Sequence, residues 1–352
     1  MDLKKSRDNI DRIDEKILNL LNKRALEAIN IAKLKKDKNL KGYSPERESS
    51  MLKYLKQLNK GVFSSEDIEI VFREILSVCR AQRTTLEIAY LGPQGTFTNL
   101  AAIKKFGKKP NFIPSISIAD VFDKVTRGEA DYGVVPIENS TEGAVNHTFD
   151  MFLESNLNIC AEEILNISHA LIGTTKKGIK KIYSNPQVFA QCRNWISLSL
   201  KNVQLIPTVS TAKAAQEAKK NSSSACIGNK ALANIYGLKV IASNIEDSPH
   251  NCTRFLIIAK NDSPSSGDDK TSIVCSINDR VGALYDVLFS FKSFGINLTR
   301  IESRPSKKKA WEYYFFVDFE GHRNNELVQK ALKKLSNECK FVNILGSYPK
   351  GN

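Results

Sequence analysis

From the N-terminus to about residue 85 the chain carries a single proline, Pro45, and its apolar residues recur at helical intervals. From Leu86 onward short apolar runs alternate with amphipathic stretches. That change of period excludes one uniform domain and predicts a helical segment over 1–85 followed by a mixed α/β region over 86–260. The stretch NDSPSSGDDK at 261–270 is polar, has nothing to bury and reads as a linker to a third module over 271–352. A chain of 352 residues accommodates two or three domains at ~100–200 residues each.

In the first segment Ile10, Ile13, Ile17, Leu20, Leu21, Ala28 and Ile31 fall on one side of a rod of about 40 Å, at ~1.5 Å per residue. So long a helix needs a partner along its length. At ~100° per residue Arg24 and Lys35 lie near the centre of the same stripe, where a bland amphipathic helix carries Leu or Ala. A buried charge is expensive unless an anion meets it, so these two cations require either a protein carboxylate such as Glu48 or an acidic ligand. Two shorter helices follow. One runs from Pro45, after the Ser44-Pro45 start signal, to about Leu58; the other runs from Glu66 to about Arg83 with Ile68, Val71, Phe72, Ile75 and Cys79 on its apolar face. One long and two short helices predict a dimer whose rods lie side by side.

The middle region repeats a strand, a polar turn and a helix: LEIAYLG, GPQGTFT and NLAAIKKFG; DYGVVPIENS into TEGAVNHTFDMFL; then KKIYSNPQVFAQCRNWI. In open α/β sheets the ligand crevice lies at the carboxyl ends of the strands, which makes Thr96, Asn139, Ser140, Thr141, Ser184, Asn185 and Gln187 candidate cleft residues. Each of these types serves equally as an N-cap or Asx turn. Farther on, SPHNCTRFLIIAK leads a polar turn into a strand at Thr253, where Thr is ordinarily a β-former and Arg254 a surface charge. The last module reads β-α-β-β-α-β, the ferredoxin-like order, which does not state a function.

Composition narrows the classes further. Lys and Arg number 52 against 38 Asp and Glu, a formal charge of +14, but the lysines are spread and no aromatic residues interleave with basic clusters, so no nucleic-acid partner is expected. Seven scattered cysteines without a C-x-x-C pair read as reduced thiols. His147, His169, His250 and His322 lack metal-ligand spacing, so no metal is expected. With no long apolar span and no apolar signal core at the start, the expectation is a cytoplasmic protein without a membrane partner.

Taken together, GPQGTFT at 92–98, VPIENSTEGAV at 135–145, SNPQVFAQC at 184–192, NCTRF at 251–255 and ESRP at 302–305 resemble, in this order, the bifunctional chorismate mutase–prephenate dehydratases of phenylalanine biosynthesis. The resemblance covers nearly the whole chain. It implies an all-α mutase bundle, then a two-lobed α/β dehydratase of periplasmic-binding-protein-like form, then an α+β ferredoxin-like ACT regulatory domain. Implied with it are chorismate and prephenate as substrates, phenylalanine as effector, no cofactor, and a homodimer or homotetramer.

Carried over by position, the resemblance implies ligand contacts in the mutase at Arg7 (lent by a second protomer), Arg24, Lys35, Arg47 and Glu48, with Lys35 donating to the ether oxygen of chorismate. The candidate set is completed by Cys79, Gln82 and Arg83. The chain departs from the family pattern in having Ser44 where an acidic residue is common, and Arg83 where Gln or Glu is usual; Gln82, nearer the middle of the apolar face, is the alternative donor. In the dehydratase the resemblance implies Thr253 at the chemical step, within a network that includes Asn139, Ser140, Gln187 and Asn251, and Arg254 for a substrate carboxylate. In the ACT domain it implies phenylalanine contacts at Gly282, Ala283, Leu284 and Asn297, with Glu302, Ser303 and Arg304 of the partner's ESRP segment. Two other readings compete. One is a dehydratase whose helices serve only as a dimerisation arm, and the other is a non-catalytic amino-acid sensor or solute-binding protein.

Overall fold

The computed structural model describes residues 2–37, 43–82, 84–175, 178–278, 280–306 and 312–351, the side chains of 35–37 excepted. The chain forms two compact units, one of Met1–Glu87 with Ile103–Asn111 and one of Ile88–Ala102 with Phe112–Asn352.

The first unit is helical. Helix α1 (Leu3–Asp37) has 35 residues, about 52 Å at ~1.5 Å each, longer than the apolar stripe alone suggests because polar turns extend it at both ends. Helix α2 (Pro45–Leu58) begins at its proline, though the Ser44 side chain makes no cap bond. Helix α3 (Ser65–Ala81) starts from a full capping box, in which Ser64 accepts from the Asp67 N–H and the Asp67 carboxylate accepts from the Ser64 N–H. Both α1 and α2 pack on α3. On α1, however, Ile10, Ile13, Ile17, Leu20 and Ile31 remain between 47 % and 64 % exposed.

The second unit opens with a first lobe: β1 (Glu87–Leu91), α4 (Phe97–Phe106), β2 (Asn111–Ser115), α5 (Ile118–Arg127), β3 (Tyr132–Asn139), β4 (Gly143–Ala144), α6 (Asn146–Glu154) and β5 (Asn158–Asn166). The chain then builds a second lobe from β6 (Ala170–Gly173), β7 (Lys181–Ser184), α7 (Pro186–Gln191), α8 (Arg193–Ser199), β8 (Gln204–Pro207), α9 (Thr211–Lys219), β9 (Ser224–Gly228), α10 (Ala231–Tyr236) and β10 (Lys239–Ser243). It returns as β11 (Cys252–Ala259) between β3 and β5, antiparallel to both. The first sheet is ordered β2-β1-β3-β11-β5 with β4 on β3, and the second β10-β6-β9-β7-β8. Residues 141–145 do not begin a helix as the sequence suggests. Gly143 adopts φ +80°, and the chain doubles back so that Gly143 and Ala144 pair with Asn139 and Glu138.

The C-terminal module has the expected order β12 (Asp269–Ile277), α11 (Ala283–Lys292), β13 (Leu298–Pro305), β14 (Tyr313–Glu320), α12 (Glu326–Glu338) and β15 (Cys339–Pro349), with a sheet ordered β13-β14-β12-β15. One face of that sheet buries Ile273, Val317 and Phe319 against Val287 and Phe291 of α11 and Val328 and Leu335 of α12. The other face carries Val274, Tyr314, Phe316, Leu345 and Tyr348 into the same apolar cluster as Phe149, Phe152, Leu157, Ile159 and Leu256 of the first lobe. β15 approaches β5 so closely at Gly346 that a Cβ there would run into the Ile159 backbone. The 261–270 stretch is correspondingly no loose tether. Ser263 and Asp269 are buried, and Asp269 gathers the N–H groups of Ser266 and Gly267 and the hydroxyls of Ser265 and Ser266. A run of Ser, Gly and Asp that reads as a linker can equally fold around its own carboxylate.

Candidate functional sites

In the helical unit, Arg24 is half-buried. Its guanidinium faces sulfur, with Nη1 3.2 Å from Cys79 Sγ and Nη2 3.8 Å from Met51 Sδ. Both are weak acceptors, and among the described residues no carboxylate pairs with this charge. Glu48, the expected protein partner, is instead held by Arg80 of α3. Arg7 and Arg47 are exposed. Gln82 is exposed too, at the C-cap of α3, because that helix ends at Ala81 rather than at Arg83. Arg83 and the Lys35 side chain lie outside the described residues. Arg7 and Arg24 are 17 positions apart on one continuous helix, about 26 Å at ~1.5 Å per residue, too far for one small ligand to touch both.

In the second unit a cleft of about 780 Å³ is lined by Asn139, Thr141, Glu142, Gln187, Gln191, Glu246 and Asn251 among others. Its organising residue is Asn139, at the carboxyl end of β3. The Asn139 Oδ1 accepts from the Thr141 N–H (3.0 Å), the Thr141 hydroxyl (2.6 Å) and the Glu142 N–H (3.1 Å), an Asx turn that fixes the amide plane. With the amide fixed, Nδ2 donates to Thr253 Oγ1 and to Asn251 Oδ1, both at 2.8 Å. Turn-forming and site-forming roles, which were alternatives in sequence, are the two ends of one side chain. Thr253 is opposite Asn139 in the β3–β11 register, and its own hydroxyl proton has no acceptor among the described residues.

The network continues through residues that sequence reasoning did not single out. Asn251 Nδ2 donates to Gln191 Oε1 (3.2 Å), Gln191 Nε2 donates to Glu142 Oε1 (2.7 Å), and His169 Nε2 lies 2.8 Å from the same Gln191 oxygen. Burial, the largest influence, holds His169 below its ordinary value, so the ring is neutral and Nε2–H is the donor. Gln191 follows Gln187 by one helical turn in SNPQVFAQC, a spacing that puts both on one face of α7 and was the available signal.

Other candidates sit elsewhere. Thr96 caps α4: its hydroxyl donates to the Leu91 carbonyl and accepts from the Asn99 N–H. Ser184 is fully buried and donates to the Ile227 carbonyl in the second lobe, and Asn185 caps α7. Ser140 braces the turn by accepting from the Cys252 N–H. Arg254, expected to meet a substrate carboxylate, points away from the cleft. It is 8 % exposed and donates to Glu162 (2.6 Å), Asp318 (2.6 Å), Glu138 (3.2 Å) and the Tyr348 hydroxyl (2.9 Å). Thr253, buried behind the cleft lining, bonds Asn139 on the cleft side, and neighbouring residues on a strand alternate sides. Burial alone would raise the Glu162 carboxyl, but Arg254, Lys270 and the Gly351 N–H outweigh it and hold it at about 2.

In the C-terminal module Gly282 takes φ +80° at the start of α11, Ala283 is buried, and Leu284 is partly exposed. Asn297 and Ser303 are exposed. Glu302 and Arg304 do not share that side of the sheet. They pair in register with Phe316 and Tyr314, on the face packed against the first lobe, where Arg304 reaches Asp150 (3.4 Å) and Glu302 meets Arg300 (3.4 Å).

An Arg-bearing helical unit, an amide-and-hydroxyl cleft between two α/β lobes and a ferredoxin-like module define a multidomain enzyme with a regulatory appendage. Family models agree segment by segment: chorismate mutase type II at 6–84, prephenate dehydratase at 88–263 and the ACT domain at 271–337. A bifunctional chorismate mutase/prephenate dehydratase of Aquifex aeolicus is 46% identical over 355 residues, covering 99% of this chain and 98% of that one. A prephenate dehydratase of Methanocaldococcus jannaschii is 40% identical over 270 residues, covering 74% of this chain and 97% of its own. The crystal structure of a prephenate dehydratase from Arthrobacter aurescens in complex with L-Phe superposes with a TM-score of 0.70 at 34% identity, over 75% of this chain and 90% of that one. The chain belongs to the bifunctional chorismate mutase/prephenate dehydratase family.

Proposed function

We propose that this chain rearranges chorismate to prephenate in its helical unit and converts prephenate to phenylpyruvate in its cleft, with phenylalanine as feedback effector. The observation that carries the reading is the meeting of Asn139, Asn251 and Thr253 at neighbouring strand ends beside an open cleft. Prephenate loses its ring carboxylate as carbon dioxide while the bond to the ring hydroxyl breaks, and that oxygen departs as water once protonated. Thr253, within the network of Asn139 and Asn251, is the group we assign to bond or protonate that oxygen. The Asn139 N–H donates to the Thr253 oxygen and would stabilise negative charge left there, which leaves the hydroxyl proton for another acceptor. Aromatisation supplies the driving force, and the side chains need only position and protonate.

For the mutase, no nucleophile is needed. The site holds a compact conformer of a dicarboxylate and offsets charge developing on the ether oxygen. Arg24, with no carboxylate partner among the described residues, can fork onto one from the ligand. The exposed apolar stripe of α1 and the distance from Arg24 to Arg7 support a second copy of this chain as the partner that covers the rod and supplies Arg7. For the effector, Gly282, Ala283, Leu284, Asn297 and Ser303 remain the contact set, with Glu302 and Arg304 acting behind the strand.

One assay tests the whole reading: purified protein is incubated with chorismate, and prephenate and phenylpyruvate are followed separately with and without phenylalanine. The expected result is prephenate first, phenylpyruvate next, and a slower second step when phenylalanine is present. Chorismate left unconsumed would reduce the helices to a dimerisation arm; prephenate left unconsumed would favour the non-catalytic sensor.

A further inference from the structure

We infer that Glu138 and Arg254 are positioning residues through which the C-terminal module holds the catalytic strand edge, with Arg300 as their link to the effector-facing strand. This rests on the proposed dehydratase and effector roles. The register supplies the first step. Asn139 is paired with Thr253, and the adjacent pair is Glu138 with Arg254. Successive residues on a strand face opposite sides, so one pair meets the cleft while its neighbour, one peptide unit away, meets the C-terminal module.

That second pair is held from both directions. Two of the four partners of Arg254, Asp318 and Tyr348, belong to the module, and Ser272 of β12 donates to Asp318 (2.5 Å) and bonds the Tyr348 hydroxyl (2.6 Å). Glu138 divides its oxygens, Oε1 to Arg254 and Oε2 to Arg300 Nε at 2.6 Å. Arg300 also lies over the Phe149 ring, 4.6 Å from its centroid, and reaches Glu302. Along β13, Arg300, Glu302 and Arg304 therefore face the first lobe, while Ile301 and Ser303 pair with Val317 and Phe315 on the other side.

A contact made on Ser303 or the strand backbone shifts the residues between which it lies. Arg300 cannot move without breaking a half-buried ion pair or pulling Glu138 with it, and leaving one buried charge unpaired costs more than moving both. Displacing Glu138 displaces Asn139, whose two amide ends hold both the turn and Thr253. Misplacements of about 1 Å at such a group can cost ~10²-fold in rate.

The test uses the full chain and the variants Arg300→Gln, Arg300→Lys, Glu138→Gln and the double Arg300→Gln/Glu138→Gln, with mutase rate as internal control. For Arg300→Gln, phenylalanine binding by calorimetry should stay within about threefold of wild type while the phenylalanine effect on dehydratase kcat shrinks by about fivefold or more, within the ~5–150-fold range of known couplings. Arg300→Lys should restore part of that effect. Glu138→Gln should lower dehydratase kcat about tenfold with KM changed less than about twofold, and the double variant should be no worse than Glu138→Gln alone. A full phenylalanine effect in Arg300→Gln, or strictly additive losses in the double variant, overturns the inference. If wild type itself neither binds nor answers to phenylalanine, the effector reading has failed and the Arg300 link with it. The kcat-against-KM split of Glu138→Gln, read without phenylalanine, then decides the positioning role alone.

Discussion

The two candidate sites are built on opposite plans. The cleft of the second unit is knitted within one chain: every amide of Asn139, Asn251 and Gln191 has its partners, and the geometry around Thr253 is set before any ligand arrives. The helical unit leaves Arg24 beside two sulfurs and the α1 stripe half open to solvent. Paired strand ends can complete a site with neighbours brought by their own ladder, whereas a single long helix offers only one narrow stripe.

Breaking the self-contained site should have the largest effect. Thr253→Ala should lower dehydratase kcat by ~10²–10⁴-fold, the usual worth of a positioned general acid, while mutase turnover stays within about twofold. A dehydratase loss under tenfold would remove Thr253 from the chemistry.

Next comes the proposed mutase site. Ile17→Asp, in the middle of the open stripe, should dissociate the rods in sedimentation and lower mutase turnover at least ~10²-fold, with dehydratase kcat at saturating prephenate nearly unchanged. A monomer that still rearranges chorismate at full rate would erase the contrast. Arg24→Met, which leaves the apolar stripe unchanged, should cost mutase about as much, through loss of a charge-assisted contact.

Smaller effects sharpen what holds the knitted unit together. Gly346→Ala forces β15 off the Ile159 backbone and should cost ~1–3 kcal/mol, visible in calorimetry as a fall of several degrees in the melting of the second unit. The Glu162 carboxyl, held at about 2 against an ordinary 4.5, binds its proton more weakly folded than unfolded. Its contribution is therefore complete above about pH 4.5 and lost as pH falls toward 2; Glu162→Gln should flatten the acid limb of a stability-against-pH curve. His169, depressed by burial, acts with the same sign at higher pH. Its share begins to be lost as pH drops below 6.5, and His169→Gln should remove that component.

Legibility followed the range of the interactions. The rod, its stripe and the inward direction of Arg24 follow from a period of 3.6 over 35 residues, and the module order follows from punctuation by Gly, Pro and Ser. Asn139 was recognisable as a polar residue at a strand end, while Asn251 and Thr253 were singled out only by the resemblance that NCTRF carries. Glu48 was not assignable, because two cations competed for it and only packing gave it to Arg80. Arg254 was misread for the same reason: its partners Asp318, Glu162 and Tyr348 lie 64, 92 and 94 residues away. Local pattern cannot choose among charges at such separations.

The amino-acid order by itself determined which segments are helix or strand, where modules begin, and which polar side chains end up at strand tips, since those depend on neighbours within a turn or two. Only the tertiary structure decided which face each side chain of β11 and β13 serves and which carboxylate meets which arginine. A strand's two faces differ by one residue in register, and register is set by packing between segments distant in the chain.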